Sequence, residues 1–248
     1  MKVQWISECP VPISRTLYNI GRCKELGLPG LSERADRPPL AVVGGGPSVA
    51  DYVDELRAFK GDIWTSGSAF PYITSLGIES TFFTIDQSPQ LAIDGRGAKK
   101  AILATCCDPS VFKELATAQI EVFDLCSSGP GANHNATTIT AAPRVSIDMG
   151  YRDVTFYGCD SSFRVGSHAY DTTPIGDMVK VTCLGVEFVT RPSFIMQAEF
   201  MAEIFRMAPC IFKLRGDGLI EKMIIDSEID VTAAVPHLAD QLLKRKVA

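Results

Sequence analysis

Three short segments gather the residue types that could do chemistry. Gly44-Gly45-Gly46-Pro47-Ser48 is a glycine-rich turn, Asp86 follows the β-branched and aromatic run Thr81–Ile85, and Gly158-Cys159-Asp160-Ser161-Ser162 is soon followed by Gly166-Ser167-His168-Ala169-Tyr170-Asp171. Glycines let the backbone come close to a phosphate at the start of a helix. Carboxylates such as Asp86 and Asp160 suit a ribose, a divalent cation or a substrate. An imidazole among small polar residues suits proton transfer or phosphate binding, and the chain has only three histidines. Asp160, His168 and Tyr170 are therefore the candidate catalytic residues. Gly44, Gly45, Gly46, Pro47, Ser48, Asp86, Gly158 and Ser161 are candidates for holding a nucleotide or its phosphates, and Asp86 with Asp160 for a metal ion.

Each segment also has a plainer reading. Asp86 before Pro89 could close a turn, and His168 could be an ordinary loop histidine. Gly129-Pro130-Gly131-Ala132-Asn133-His134-Asn135-Ala136-Thr137 leads toward a helical stretch. Its amides, with Asn133, Asn135 and Thr137, could bind a second anion, or Asn135 or Thr137 could simply cap the helix. Gly216-Asp217-Gly218 reads as a capping turn. Cys159 reads as a buried structural thiol, because no lysine or arginine adjoins it and Asp160 opposes a thiolate.

These segments need a scaffold that brings strand ends together. From Pro39 onward, β-rich runs alternate with helical ones: Leu40–Val43 then Val49–Phe59, Ile63–Ser66 then Phe70–Leu76, Thr81–Ile85, Ala101–Ala104 then Ser110–Ala116, and Ile120–Phe123. A helix within Thr137–Met149, started or kinked by Pro143, precedes a strand at Val154–Tyr157. Such alternation predicts a Rossmann-like doubly wound α/β fold with a mainly parallel sheet. Val179–Leu184 and Val186–Thr190 flank Gly185 and predict a C-terminal β-hairpin insertion. A helix at Ser193–Met207, a strand at Ile211–Leu214 and a short helix near Leu219–Met223 follow. Residues 1–38, rich in proline and holding one helical stretch at Arg15–Leu26, read as an N-terminal arm, and residues 39–248 as a single domain.

The glycine turn is not a P-loop, which needs a lysine near its end. The second strand ends in Thr65-Ser66 rather than in the acidic residue that holds the ribose in dinucleotide folds, which disfavours NAD and S-adenosylmethionine.

Composition bounds the remaining choices. The chain has 248 residues, 46% of them hydrophobic, enough for a full core, which excludes global disorder. With 24 Lys+Arg against 29 Asp+Glu and no basic block, it lacks the electrostatic footprint of a nucleic-acid binder. No uncharged stretch is apolar and long enough to span a bilayer, and Glu8 and Pro10 interrupt the place of a signal-peptide core, so the expectation is a cytoplasmic protein without a membrane partner. The eight cysteines form no C-x-x-C pair and predict reduced, mostly buried thiols.

Taken in order, the glycine turn, Asp86, the run from Gly150 through Ser162 and His168-Ala169-Tyr170 resemble the MptE-like family, whose named activity is 6-hydroxymethylpterin diphosphokinase. The chain is similar to the branch encoded in phages and prophages, with Gln197-Ala198-Glu199-Phe200 and Gly216-Asp217-Gly218-Leu219 extending the match. The resemblance runs from about Leu40 to Ile224. It implies a nucleotide at the glycine loop, diphosphate transfer from ATP to a small-molecule acceptor, and Mg2+ where phosphoryl groups move. A homo-oligomer is compatible with it. A more distant similarity is to bacterial sialyltransferases, whose glycine loop also ends Gly-Pro-Ser and whose later Tyr-Ala-Phe-Asp-like segment compares with His168-Ala169-Tyr170-Asp171. That likeness implies a glycosyltransferase using a CMP- or UDP-sugar donor. A third expectation is a non-catalytic phage accessory or assembly protein that keeps the fold.

Overall fold

The computed structural model describes residues 13–124, 137–163, 178–226 and 230–235. In chain order they form α1 (Ile13–Glu25), β1 (Leu40–Val43), a 3-10 helix (Pro47–Tyr52) running into α2 (Val53–Ala58), β2 (Asp62–Ser66), α3 (Phe70–Ser75), β3 (Thr81–Thr84) and α4 (Gln90–Asp94). Then come β4 (Lys100–Ala104), α5 (Pro109–Glu114), β5 (Gln119–Phe123), α6 (Thr138–Asp148), β6 (Val154–Tyr157), β7 (Met178–Cys183), β8 (Val186–Thr190), α7 (Pro192–Met207), β9 (Phe212–Arg215), α8 (Leu219–Ile225) and β10 (Asp230–Val235).

The fold is the Rossmann-like, doubly wound α/β architecture that the alternation predicts. Seven parallel strands make one sheet in the order β5-β4-β3-β2-β1-β6-β9, flanked by helices. The hairpin β7–β8 is present and is joined by β10 in a separate three-stranded sheet, β10-β7-β8. Strands buried on both faces read as continuous apolar runs. β1, Leu-Ala-Val-Val, is the clearest case, with all four residues buried. Val186 follows Gly185, whose φ of 75° suits a tight hairpin turn.

The chain forms two compact units. One takes its residues from Met1–Ala35 and Thr65–Gly150, the other from Asp36–Trp64 and Tyr151–Ala248. The first has a core of Phe70, Phe82, Leu91, Leu103, Val111, Leu115 and Ile120. Here α1 is anchored by Asn19, whose side-chain amide donates to the carbonyls of Thr105 and Cys107. In the second unit Phe156, Phe205 and Phe212 pack edge to face, and a smaller cluster joins Phe163 and Met178 to Val189 and Phe194.

Several boundaries differ from the sequence expectation. The stretch after β1 begins as a 3-10 helix with Pro47 in its first turn and becomes α-helical only at Val53. Pro143 lies inside α6, where it removes one backbone donor without ending the helix. The short α4 and the strand β10 were not anticipated. Among the described residues no helix is long and apolar enough to cross a membrane. Of the described cysteines, Cys23, Cys106, Cys107, Cys159 and Cys183 are free and buried, and Cys210 is free and exposed.

Candidate functional site

The strand order places the point of interest. From β1 the sheet grows through β2, β3, β4 and β5 on one side, and β6 then pairs with the other flank of β1, with Leu40 opposite Val154 and Val43 opposite Tyr157. The connections therefore reverse direction between β1 and β6. In open α/β sheets ligands bind outside the carboxyl ends of the strands at this reversal. Gly44–Ser48 leaves β1 there and Gly158–Ser162 leaves β6 there, both in the second unit.

These two loops interlock. The Gly44 amide donates to the Tyr157 carbonyl at 2.8 Å and the Gly46 amide to the Gly158 carbonyl at 2.7 Å, continuing the strand pairing past its formal end. A Cβ on Gly44 would stand 2.5 Å from the Gly158 oxygen, and one on Gly46 would stand 2.6 Å from both that oxygen and Asp160 Oδ2. The glycines are required here by protein packing. Gly158 itself has a φ of 60° and faces Val49.

Asp160 lies at the centre of this arrangement. It is 3% exposed, and its carboxylate accepts the Ser48 amide at 2.8 Å and the Ser48 hydroxyl at 2.5 Å. Ser48 is fully buried in the first turn of the 3-10 helix, so the carboxylate sits where a bound anion would meet that amide. Gly216 and Gly218 close in from the loop after β9. A Cβ on Gly216 would lie 2.9 Å from Asp160 Oδ1, and one on Gly218 would lie 2.4 Å from the Asp160 carbonyl oxygen. The sequence expectation for Gly216-Asp217-Gly218 is a capping turn. Gly218 does occupy the N-cap position of α8, without a side-chain cap, but its contact with Asp160 went unnoticed. A second Gly-x-Gly turn after a strand that shares the sheet end with the first was the available signal.

Ser161 has the left-handed φ of 51° that non-glycine residues rarely adopt. Two partners hold it there: the Thr190 hydroxyl donates to its carbonyl at 2.6 Å, and the Gln197 side-chain amide donates to its hydroxyl at 2.8 Å. Ser162 completes the loop, donating to the Asp160 carbonyl and accepting the Leu219 amide. Gln197 belongs to the Gln197–Phe200 segment noted in the sequence, without a role assigned there, and Thr190 has no sequence signal of its own.

Cys159 is buried, and its thiol donates to the Tyr157 carbonyl at 3.4 Å. Burial, with a further push from the Asp160 charge, drives its pKa far above the ordinary thiol range, against the smaller opposing effect of the Gly44 backbone. A structural thiol is what this environment makes.

Two further candidates, Asp86 and Thr137, have local partners. Asp86 is exposed and belongs to the first unit, where its carboxylate accepts the Ser88 amide at 2.9 Å in a local turn. Thr137 is the N-cap of α6 in a reciprocal capping box with Thr140. Asn133, Asn135, His168 and Tyr170 lie outside the described residues. Among the described residues no group of three or more His, Cys, Asp or Glu is arranged to hold a metal ion. No protein-family model, curated protein or solved structure matches the chain.

Proposed function

We propose that the chain is a nucleotide-dependent transferase of the kind its resemblance to 6-hydroxymethylpterin diphosphokinases implies, moving diphosphate from ATP to a small-molecule acceptor. One observation carries the reading: the glycine loop after β1 and the Gly158–Ser162 loop after β6 lie side by side at the reversal point of a parallel, doubly wound sheet. Asp160 then acts as a positioning residue. By taking the Ser48 amide and hydroxyl it fixes the inner half of the glycine loop, in which Gly45 and Gly46 stay partly exposed. In this reading Mg2+ arrives with the nucleotide phosphates, in keeping with its habit of retaining waters and bridging phosphate oxygens.

A second reading, glycosyl transfer from a CMP- or UDP-sugar, is favoured by the same carboxylate. With Ser48 engaged by Asp160, the loop offers fewer donors than a triphosphate calls for, and a mono- or diphosphate donor needs fewer.

A thermal-shift panel of ATP, GTP, CMP, CDP and UDP, each with and without Mg2+, separates the two. A ligand at 100 times its Kd adds about 2.7 kcal/mol. Stabilisation by ATP only with Mg2+ supports diphosphate transfer. Stabilisation by a pyrimidine nucleotide without Mg2+ supports glycosyl transfer, and no shift with any nucleotide contradicts both.

A further inference from the structure

Arg191 joins β8 to α7 and is held in an unusual way. Its guanidinium carbon lies 5.3 Å from the ring centre of Phe163 and 5.4 Å from that of Phe194, and these two rings stack on each other at 5.6 Å. Such cation–π contacts hold the charge without using its hydrogen-bond donors. The Nε is buried and has no hydrogen-bond partner, and no hydrogen bond or salt bridge ties the guanidinium to another described residue. The first turn of α7 carries no acidic residue that could answer it. Burial lowers the pKa of Arg191, the direction expected of a charge without a compensating anion.

A buried donor without an acceptor costs stability, and in a native fold such a group calls for an explanation. Its place suits a ligand at the β1/β6 reversal. Phe163 is the third residue after Asp160 in the loop leaving β6, and its amide donates to the Val189 carbonyl at 2.8 Å. Thr190, next to Arg191, holds the Ser161 carbonyl. The Ser48 donors of the glycine loop already face a carboxylate, so an anionic ligand in this crevice requires a cation from another element. The guanidinium fork matches the paired oxygens of a phosphate group.

We propose that Arg191 is a binding residue for the diphosphate group of the ligand, a reading that rests on the transferase function proposed above. Phe163 and Phe194 pre-orient its guanidinium, and the phosphate oxygens meet the donors of its terminal nitrogens.

The test titrates inorganic pyrophosphate, ADP and CDP into the wild-type protein and into Arg191→Met and Arg191→Lys, by calorimetry, with the melting temperature of each unliganded protein recorded alongside. Wild type is expected to bind pyrophosphate. Arg191→Met, which keeps an apolar stem between the rings, is expected to bind it roughly ten- to a hundredfold more weakly, with an unliganded melting temperature equal to or above that of wild type. Equal binding by Arg191→Met, or no binding of pyrophosphate by wild type, overturns the assignment. A lowered melting temperature with unchanged affinity identifies a structural arginine and overturns it as well. Should Arg191→Met fail to fold, Arg191→Lys decides: weakened binding in a protein of wild-type stability supports the site, and unchanged binding overturns it. ADP or CDP affinity that survives in Arg191→Met leaves the transferase reading standing and removes only Arg191. Pyrophosphate bound through Arg191 with no affinity for either nucleotide does the reverse.

Discussion

Ser48 gives both its backbone amide and its hydroxyl to the carboxylate of Asp160, 112 residues further along the chain. The pair joins the exits of two neighbouring parallel strands. It also explains why glycines surround it, since Gly46, Gly216 and Gly218 each press against Asp160 more closely than a Cβ would permit.

Asp160→Asn keeps the shape but replaces one acceptor oxygen by a donor that faces the Ser48 donors. Hydrogen bonds to a charged group contribute about 1.5–3 kcal/mol each. The variant should lose roughly 2–3 kcal/mol of unfolding free energy in urea titration, whereas Asp86→Asn, altering an exposed turn, should change it by less than about 0.5 kcal/mol. Equal effects of the two substitutions would remove Asp160 from its central place.

Alanine at the glycines separates close packing from chain flexibility. Gly46→Ala and Gly218→Ala each add a methyl group into space already filled by Asp160 and its neighbours, and each should destabilise by about 1–3 kcal/mol or more. Gly21, inside α1, has no atom within 4 Å of an added Cβ. Gly21→Ala should instead stabilise by about 0.5–1 kcal/mol through helix propensity. Urea midpoints of the three variants provide the comparison.

Much of the scaffold could be read from the sequence because it rests on local pattern. Leu40–Val43 and Val154–Tyr157 are bounded by turn residues and form strands at just those positions. The hairpin around Gly185 and the long helix ending at Met207 are equally local. The centre of the site was less legible. Asp160 stands out as a carboxylate past a strand end, but its pairing with Ser48 does not, because a contact across 112 residues leaves no local trace. Arg191 carries no sequence signal for a related reason. What marks it is the pairing of Phe163 with Phe194, which only the folded chain assembles.

The thiols give a pH-dependent prediction. Burial raises the pKa of Cys159 far above its ordinary 9.0, and that of Cys107 well above the same value. The unfolded chain therefore loses these protons first as the solution becomes alkaline. Their contribution to stability is complete below pH 9.0 and falls away as pH rises from there toward the folded-state values. Urea midpoints measured from pH 7 upward should decline beyond about 9, and less steeply in Cys159→Ala. In the native protein iodoacetamide should label exposed Cys210 and spare Cys159, as peptide mass analysis would record.

The central claim is that a nucleotide binds where β1 and β6 part. Backbone amide NMR of the 26.9 kDa chain, titrated with ATP and Mg2+ and separately with CDP, tests it residue by residue. One of these ligands is expected to shift Gly45, Gly46 and the Gly158–Ser162 loop, while the amides of β4 and β5 stay in place. No response to either nucleotide, or a response centred on β4 and β5, would contradict it.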